Sequence, residues 1–248
     1  MKVPRTGTGR CYGVGVGPGD PELMTLKAVR VISECPVVAS FNAVNRESNA
    51  RRVAAEHLRP LHTELRFVYP VTTEPVDGAT YETLINDFYD ESAKRIAELL
   101  DEGVDVAVLC EGDPFFFGSY MYLHTRLAHR YETAVIPGVS SALTGASVIG
   151  TPLASRNEVF CVLSGVLDVD ELAMRIAAAD AVVVMKVGRN LAKVRDAVTR
   201  AGALERAVYV EWATLPEQQV LPLASVDAAT APYFSIVVIP GTAAAARA

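Results

Sequence analysis

Cysteine, histidine and tryptophan are scarce in this chain of 248 residues, which holds four, four and one of them. Cys11, Cys35, Cys110 and Cys161 lie far apart and form no Cys-x-x-Cys pair. Neither a zinc knuckle nor a dithiol redox motif is therefore expected, and the thiols are expected to stay reduced. No apolar run reaches the roughly 18 residues that a membrane span needs. Met1 to Arg10 lacks the hydrophobic stretch of a secretory signal, which points to the cytoplasm. Basic residues are outnumbered: 23 Lys and Arg stand against 29 Asp and Glu, a formal net charge of -6. Phosphate contacts need clustered cations, so this balance argues against nucleic acid or an anionic membrane as a default partner. What is plentiful is apolar surface, at 50% of residues with 21% charged, enough to bury a real core.

Short β-branched runs alternate with helix-length amphipathic stretches, the rhythm of parallel sheets covered by helices. Strands are expected near Cys11–Val16, Pro36–Ser40 and Asp105–Cys110 in the first half. A second sheet is expected from Thr133–Ile136, Val159–Leu163, Ala181–Met185, Ala207–Val210 and Ser235–Ile239. The first helix is read as starting at Asp20, with Pro21 in its first turn and Leu23, Leu26, Val29 and Ile32 on its inner face. Further helices are expected over Tyr81–Leu100, Ser140–Ile149, Val169–Ala178 and Asn190–Ala201. Pro216–Pro232 is too punctuated by proline to assign. The boundary is placed near residues 120–132, giving an N-terminal α/β domain of 1–125 and a C-terminal α/β domain of 126–248. The Ala-rich tail from Thr242 is expected to be disordered.

Four strand-end groups can carry chemistry. Gly13-Val14-Gly15-Val16-Gly17-Pro18-Gly19-Asp20 invites a nucleotide reading, but G-x-G-x-x-G fails in register from Gly13 and from Gly15. The acid that a dinucleotide fold places after its second strand is also missing from Val37-Val38-Ala39-Ser40. What remains is a loop that lets a ligand or another strand approach the backbone closely, or simply a tight turn. Glu111-Gly112-Asp113-Pro114-Phe115-Phe116-Phe117-Gly118 follows an apolar strand; its carboxylates can accept from ribose hydroxyls or an amino group, or Asp113-Pro114 is an ordinary turn over core aromatics. Pro137-Gly138-Val139-Ser140-Ser141 opens a helix, where a serine can cap the helix and serve a ligand carboxylate. Val184-Met185-Lys186 and Glu211-Trp212-Ala213-Thr214 end two further strands, where they can wall an adenine.

This order of motifs resembles the tetrapyrrole methylase family, over about residues 11–240. Within it, the string from Cys110 to Leu123 is similar to the branch that methylates C20 of precorrin-2. The resemblance implies two α/β domains with S-adenosylmethionine folded into a cleft between them rather than laid along a Rossmann sheet, and a homodimer. It implies cofactor contacts at Pro18, Glu111, Gly112, Asp113, Phe116, Ser140, Ser141, Met185, Trp212, Ala213 and Ser235, many through the backbone. Asn42–Arg52 and Glu64–Pro75 match the branch only loosely.

The implied reaction needs no metal: a meso carbon takes the methyl group, and a proton then leaves that carbon. Alignment is expected to dominate. His57, His62, His124 and His129 lie outside the motifs and are read as structural or solvent-facing, leaving Glu111 as the carboxylate nearest the chemistry, in a role that cofactor binding or capping explains equally. The implied substrate carries many carboxylates, for which Arg46, Arg51, Arg52 and Arg156 are candidates, a solvated helix face being the alternative for Arg51 and Arg52. The rivals are a family member acting on another tetrapyrrole carbon, on cobalt-containing precorrin-2, on diphthine or on ribosomal RNA, then an NAD-dependent oxidoreductase, then a non-catalytic binder of S-adenosylmethionine or a tetrapyrrole.

Overall fold

The computed structural model describes residues 7–71 and 77–242. The chain divides into two compact units, Met1–Ser140 and Ser141–Ala248.

The first unit is built on five parallel strands: β1 (Arg10–Gly15), β2 (Val37–Asn42), β3 (Thr63–Val68), β4 (Val106–Cys110) and β5 (Glu132–Ile136), in the order β3-β2-β4-β1-β5. Parallel strands covered on both faces become continuous apolar runs, and β4, Val-Ala-Val-Leu-Cys, is buried at every residue. Its side chains alternate between two cores. Ala107 and Leu109 meet Ala28, Val31 and Ile32 of α1 (Leu26–Glu34) and Ala50 and Val53 of α2 (Asn49–Val53). Val106, Val108 and Cys110 meet Ala93, Ile96 and Leu100 of α3 (Gly78–Asp101) and Leu123 and Leu127 of α4 (Tyr120–Leu127).

Two expectations change here. Asp20 does cap, accepting from the Glu22 N–H at 2.8 Å, but it caps a single 3-10 turn, Pro21–Leu23. The backbone then straightens at Met24, and α1 starts afresh from Thr25, whose hydroxyl accepts from the Ala28 N–H at 3.1 Å. That break resets the helical phase, so Leu26 is 90% exposed while Ala28, Val31 and Ile32 face the core. The strand at residues 132–136 was expected in the second sheet; it lies in the first, with Arg10 opposite Glu132 and Val14 opposite Ile136. The physical reason is that β4, α4 and β5 form one parallel crossover unit, which places both strands in one sheet. Residues 126–140 accordingly belong to the first unit.

The second unit has a mixed sheet of β6 (Phe160–Ser164), β7 (Ala181–Met185), β8 (Val208–Glu211), β9 (Gln219–Pro222) and β10 (Ser235–Ile239), ordered β6-β7-β10-β8-β9. Parallel sheets were expected, but only β6 and β7 pair in parallel; β10 runs antiparallel to both β7 and β8, and β9 to β8, because the segments linking β8 to β9 and β9 to β10 carry no crossover helix of the kind that returns a strand in parallel. β9 occupies the Pro-punctuated stretch left unassigned above, and it is an exposed edge strand ending in Pro222, where proline is tolerated. α5 (Ser141–Ile149), α6 (Val169–Ala177) and α7 (Leu191–Arg200) match their expected spans to within a residue or so. α5 comes close to β10 because Gly145 has no side chain: a Cβ there would stand 2.8 Å from Ile236 and Val238. Of the tail expected to be disordered, residues 243–248 lie outside the described residues, as do 72–75 of the loosely matching region.

The reset of α1 is testable. Ile32→Ala should cost about 2–5 kcal/mol by emptying a filled core position, whereas Leu26→Ser should stay within about 0.5 kcal/mol of the parent. Urea denaturation of the two variants measures both, and equal losses would return Leu26 to the buried face.

Candidate functional site

In the first unit the chain leaves β1 toward the α1 face and leaves the adjacent β4 toward the α4 face. Such divergence at the carboxyl ends of parallel strands is where open α/β sheets bind ligands. Three of the sequence-chosen loops meet at this point. The Val16 N–H donates to the Cys110 carbonyl at 2.9 Å, and the Gly112 N–H to the Gly17 carbonyl at 2.8 Å. The Gly138 N–H donates to Asp113 Oδ2 at 3.1 Å, while Asp113 Oδ1 accepts from the Phe115 N–H at 2.9 Å. Asp113 therefore ties the β4 loop to the turn after β5.

The glycines of the first loop have an internal purpose. A Cβ on Gly13 would stand 2.3 Å from the Tyr120 ring, and one on Gly15 would stand 2.6 Å from both the Gly112 oxygen and the Gly138 nitrogen. Gly138 is tighter still, with a Cβ only 2.0 Å from the Gly112 oxygen. Gly112 differs. Its φ of +62° suits glycine, and a Cβ would meet only the Val139 oxygen and Ser140 Cα, at 3.8 and 3.9 Å. This cradle leaves backbone accessible beside Glu111 and Ser140, and such a surface, with a carboxylate as acceptor, fits a ligand that offers hydroxyl and amino donors.

Glu111 Oε1 accepts from the Ala50 N–H at 3.2 Å, at the start of α2. Its side chain is open to solvent, yet protein crowds it closely. Desolvation pushes the carboxyl above the ordinary carboxylate range, opposed in part by hydrogen bonds from its own backbone N–H and that of Ala50. The three phenylalanines diverge. Phe115 lies on Tyr120 and His124 at 6.1 and 4.9 Å between ring centres, and Phe116 packs edge-on against Phe117 at 5.0 Å. Phe117 holds φ at +57°, a left-handed conformation that few side chains adopt.

The second unit gathers the later residues. Because β10 runs against β7 and β8, its first residue, Ser235, sits opposite Glu211 at the end of β8 and near the end of β7 at Met185. Ser235 Oγ donates to the Pro232 carbonyl at 2.7 Å and accepts from the Gly188 N–H at 3.2 Å. The Trp212 N–H donates to the Phe234 carbonyl at 2.9 Å, and the two rings lie 5.2 Å apart. Lys186, Trp212 and Thr214 all hold positive φ, at 57°, 51° and 66°. Strained backbone at matching strand ends marks the kind of place where sites are built, and nothing in the sequence signalled it. Met185 and Ala213 are half-buried at the same edge.

The histidines take no part in these loops. His124 is packed under Phe115, with Nδ1 buried and unpartnered, and burial lowers its pKa. His62 Nδ1 accepts from the Arg59 N–H at 3.0 Å. Arg51 is held by Glu47 and Glu64, at 2.6 and 2.5 Å, which raises the arginine's pKa and lowers that of Glu64. Among the described residues no group of three or more His, Cys, Asp or Glu is arranged to hold a metal ion.

Two sheets and glycine-braced strand ends of this kind define the class. Residues 10–229 match the model of the Tetrapyrrole (Corrin/Porphyrin) Methylases, and the chain belongs to that family. It is 47% identical to the precorrin-2 C(20)-methyltransferase of Sinorhizobium sp, over 95% of this chain and 96% of that protein. It is 48% identical to the cobalamin biosynthesis protein CobIJ of Mycobacterium tuberculosis over 94% of its length, but spans only 46% of that relative, less than half. The cobalt-precorrin-2 C(20)-methyltransferase of Salmonella typhimurium is 28% identical, over 93% and 96%. The fold is shared with the X-ray structure of a cobalt precorrin-4 methyltransferase, at TM-score 0.71 and 20% identity over 97% and 98% of the two chains. A uroporphyrin-III C-methyl transferase from Thermus thermophilus, solved in complex with S-adenyl homocysteine, shares it at TM-score 0.65 and 24% identity over 94% and 92%.

Two measurements probe this geometry. Gly138→Ala should cost about 1–3 kcal/mol or more, because backbone rather than a flexible side chain blocks the added methyl group; an unchanged denaturation midpoint would remove the brace. Glu111→Gln keeps an acceptor for the Ala50 N–H and removes the desolvated charge. A carboxyl raised on folding costs stability above its folded pKa, and that cost vanishes as pH falls toward the ordinary value of 4.5. The variant should therefore unfold at a higher temperature than the parent at pH 7 to 8, with the difference closing near pH 4.

Proposed function

We propose that this chain methylates C20 of precorrin-2 in cobalamin biosynthesis, with S-adenosylmethionine as donor and S-adenosylhomocysteine as product. The observation that carries this reading is the near end-to-end similarity to a precorrin-2 C(20)-methyltransferase. The weaker similarity to the cobalt-precorrin-2 enzyme makes the metal-free macrocycle the preferred acceptor over the cobalt-containing one. A cytoplasmic homodimer completes the reading, on the family resemblance; no described helix is long and apolar enough to cross a membrane.

Bound S-adenosylmethionine supplies a methyl group on a sulfonium. As the methyl group passes to C20 the sulfur–carbon bond breaks, and the C20 proton leaves. Charge is lost on the way to the products, so holding the partners in line matters more than stabilising a new ion. The chain supports this with braced backbone. Asp113 ties the β4 loop to Gly138, and Glu111 ties its start to Ala50. Pro18, Gly112, Ser140 and Ser141 flank these ties, and we assign them, with Glu111, Asp113 and Phe116, to the donor. Met185, Trp212, Ala213 and Ser235 share an edge of the second sheet and are assigned to it as well. Ser235's hydroxyl is already engaged twice, so its contact is through the backbone. Glu111 is the group suited to receive the departing proton, because it is open to solvent and a carboxyl with a raised pKa is a better base than an ordinary one.

Calorimetry with S-adenosylmethionine, followed by mass analysis of precorrin-2 and its cobalt counterpart after incubation, tests the reading. Binding is expected, with one methyl group added faster to the metal-free macrocycle; no donor binding ends the hypothesis. Asp113→Ala should weaken donor binding by about 1–3 kcal/mol, since it frees one side of the braced loop.

A further inference from the structure

A cluster of hydroxyl groups at the carboxyl end of the first sheet has no assigned role. Tyr69 follows β3, the edge strand, and its N–H donates to the Asn42 carbonyl at 2.9 Å. Its ring packs against both Phe41 and Phe88, at 5.6 and 4.8 Å between centres, in a cluster where those two rings also touch at 6.1 Å. Held in this way, the Tyr69 hydroxyl reaches past β2 to form hydrogen bonds with Ser119 Oγ and, at 3.3 Å, with the Tyr89 hydroxyl. Tyr89 is buried at this site, and Tyr69 and Ser119 are partly so.

Ser119 makes the arrangement informative. It precedes α4, a position where serine ordinarily accepts from its own helix N–H groups, yet its side chain makes no capping bond. Its hydroxyl is spent on Tyr69 instead. Besides the backbone bond from Gly112 to Gly17, the Glu111–Gly118 loop is thus tied by three side chains: Glu111 to the Ala50 N–H, Asp113 to the Gly138 N–H, and Ser119, just past its end, to Tyr69. The first two ties lie on the side assigned to the donor. The third lies beyond Phe115, Phe116 and Phe117, the part of the loop nearest α4.

We propose that Tyr69 is a positioning residue for methyl transfer, whose hydrogen bond to Ser119 fixes the end of the Glu111–Gly118 loop that carries the exposed Phe115 and Phe117 rings against the tetrapyrrole. This rests on the methyltransferase reading. Tyr69 touches neither donor nor acceptor; it acts through Ser119. Tyr69→Phe removes one oxygen and keeps the ring packing, so the fold survives, with a melting temperature within about 3 °C of the parent.

The test combines amide hydrogen exchange on the free protein with kinetics. In Tyr69→Phe the Phe115 and Phe116 N–H groups, bonded within the loop to Asp113 at 2.9 and 3.2 Å, should exchange faster, while β1 and β4 keep their protection. S-adenosylmethionine affinity should stay within about 2-fold, and kcat should fall about 3- to 30-fold, as expected for loss of one ordering hydrogen bond. Ser119→Ala should give a comparable loss, and the double variant no more than Tyr69→Phe alone, because the Tyr69–Ser119 bond is the interaction that both variants delete. Unchanged exchange in Tyr69→Phe, or losses that simply add, would overturn the proposal. A parent protein that binds no donor would sink the methyltransferase reading, while the exchange data would still decide whether the brace exists.

Discussion

The contact on which the first unit depends is made by backbone alone: Gly15, Gly112 and Gly138, at the ends of three neighbouring parallel strands, touch without an intervening side chain. Parallel strands stand nearly 5 Å apart, and their connections normally diverge with side chains filling the space between. Here the connections from β1 and β4 leave for opposite faces, and the gap is closed by main chain. A methyl group at Gly15 or Gly138 would force backbone apart, since no side chain is there to yield. Everything assigned to the donor in this unit hangs on that junction: Glu111, Gly112 and Asp113 follow β4, Pro18 follows β1, and Ser140 follows β5.

The junction also divides the labour of two carboxylates that stand two residues apart. Each oxygen of Asp113 accepts a backbone N–H, so its carboxylate braces the architecture. Glu111 has one such partner from a neighbouring element, is reached by solvent, and is desolvated enough to raise its pKa. Environments that separate two acids in this way separate their tasks, one holding the loop and the other available to a proton. Neighbours in sequence acquire opposite roles because Gly112, at φ +62°, reverses the chain between them.

Much of this was legible in the sequence. Apolar runs such as Val106–Cys110 and Ser235–Ile239 read directly as strands, because fully buried strands leave no polar alternation to confuse them. The failed Gly-x-Gly-x-x-Gly register argued against a dinucleotide fold, and the structure supplies the reason that Gly13 and Gly15 are glycine. Three features were not legible. The extended Met24 shifts the phase of α1, and no periodicity count can see a break of one residue. β5 was given to the wrong sheet because composition does not change across residues 120–140; only the pairing with β1 reveals it. β3, with four exposed residues in six, lacks the apolar density of its neighbours, so neither it nor Tyr69 after it stands out in the sequence.

That last omission says where specificity resides in such a fold. Glycine junctions and backbone braces are demanded by the sheet and are indifferent to what is methylated, so a motif made of them identifies the class and the donor more readily than the acceptor. On the proposed reading an acceptor is distinguished by side chains that the junction does not require, such as the exposed Phe115 and Phe117, and by whatever holds them in place. Phe117 keeps a left-handed backbone, which costs free energy and persists only where the surroundings enforce it. The Asp113 turn enforces one end of that segment and the Tyr69–Ser119 bond the other. The tie comes from the residue that follows the edge strand, so it can vary without disturbing the glycine junction, and on the proposed reading the periphery of the sheet can change the loop's aromatic end while the centre stays fixed.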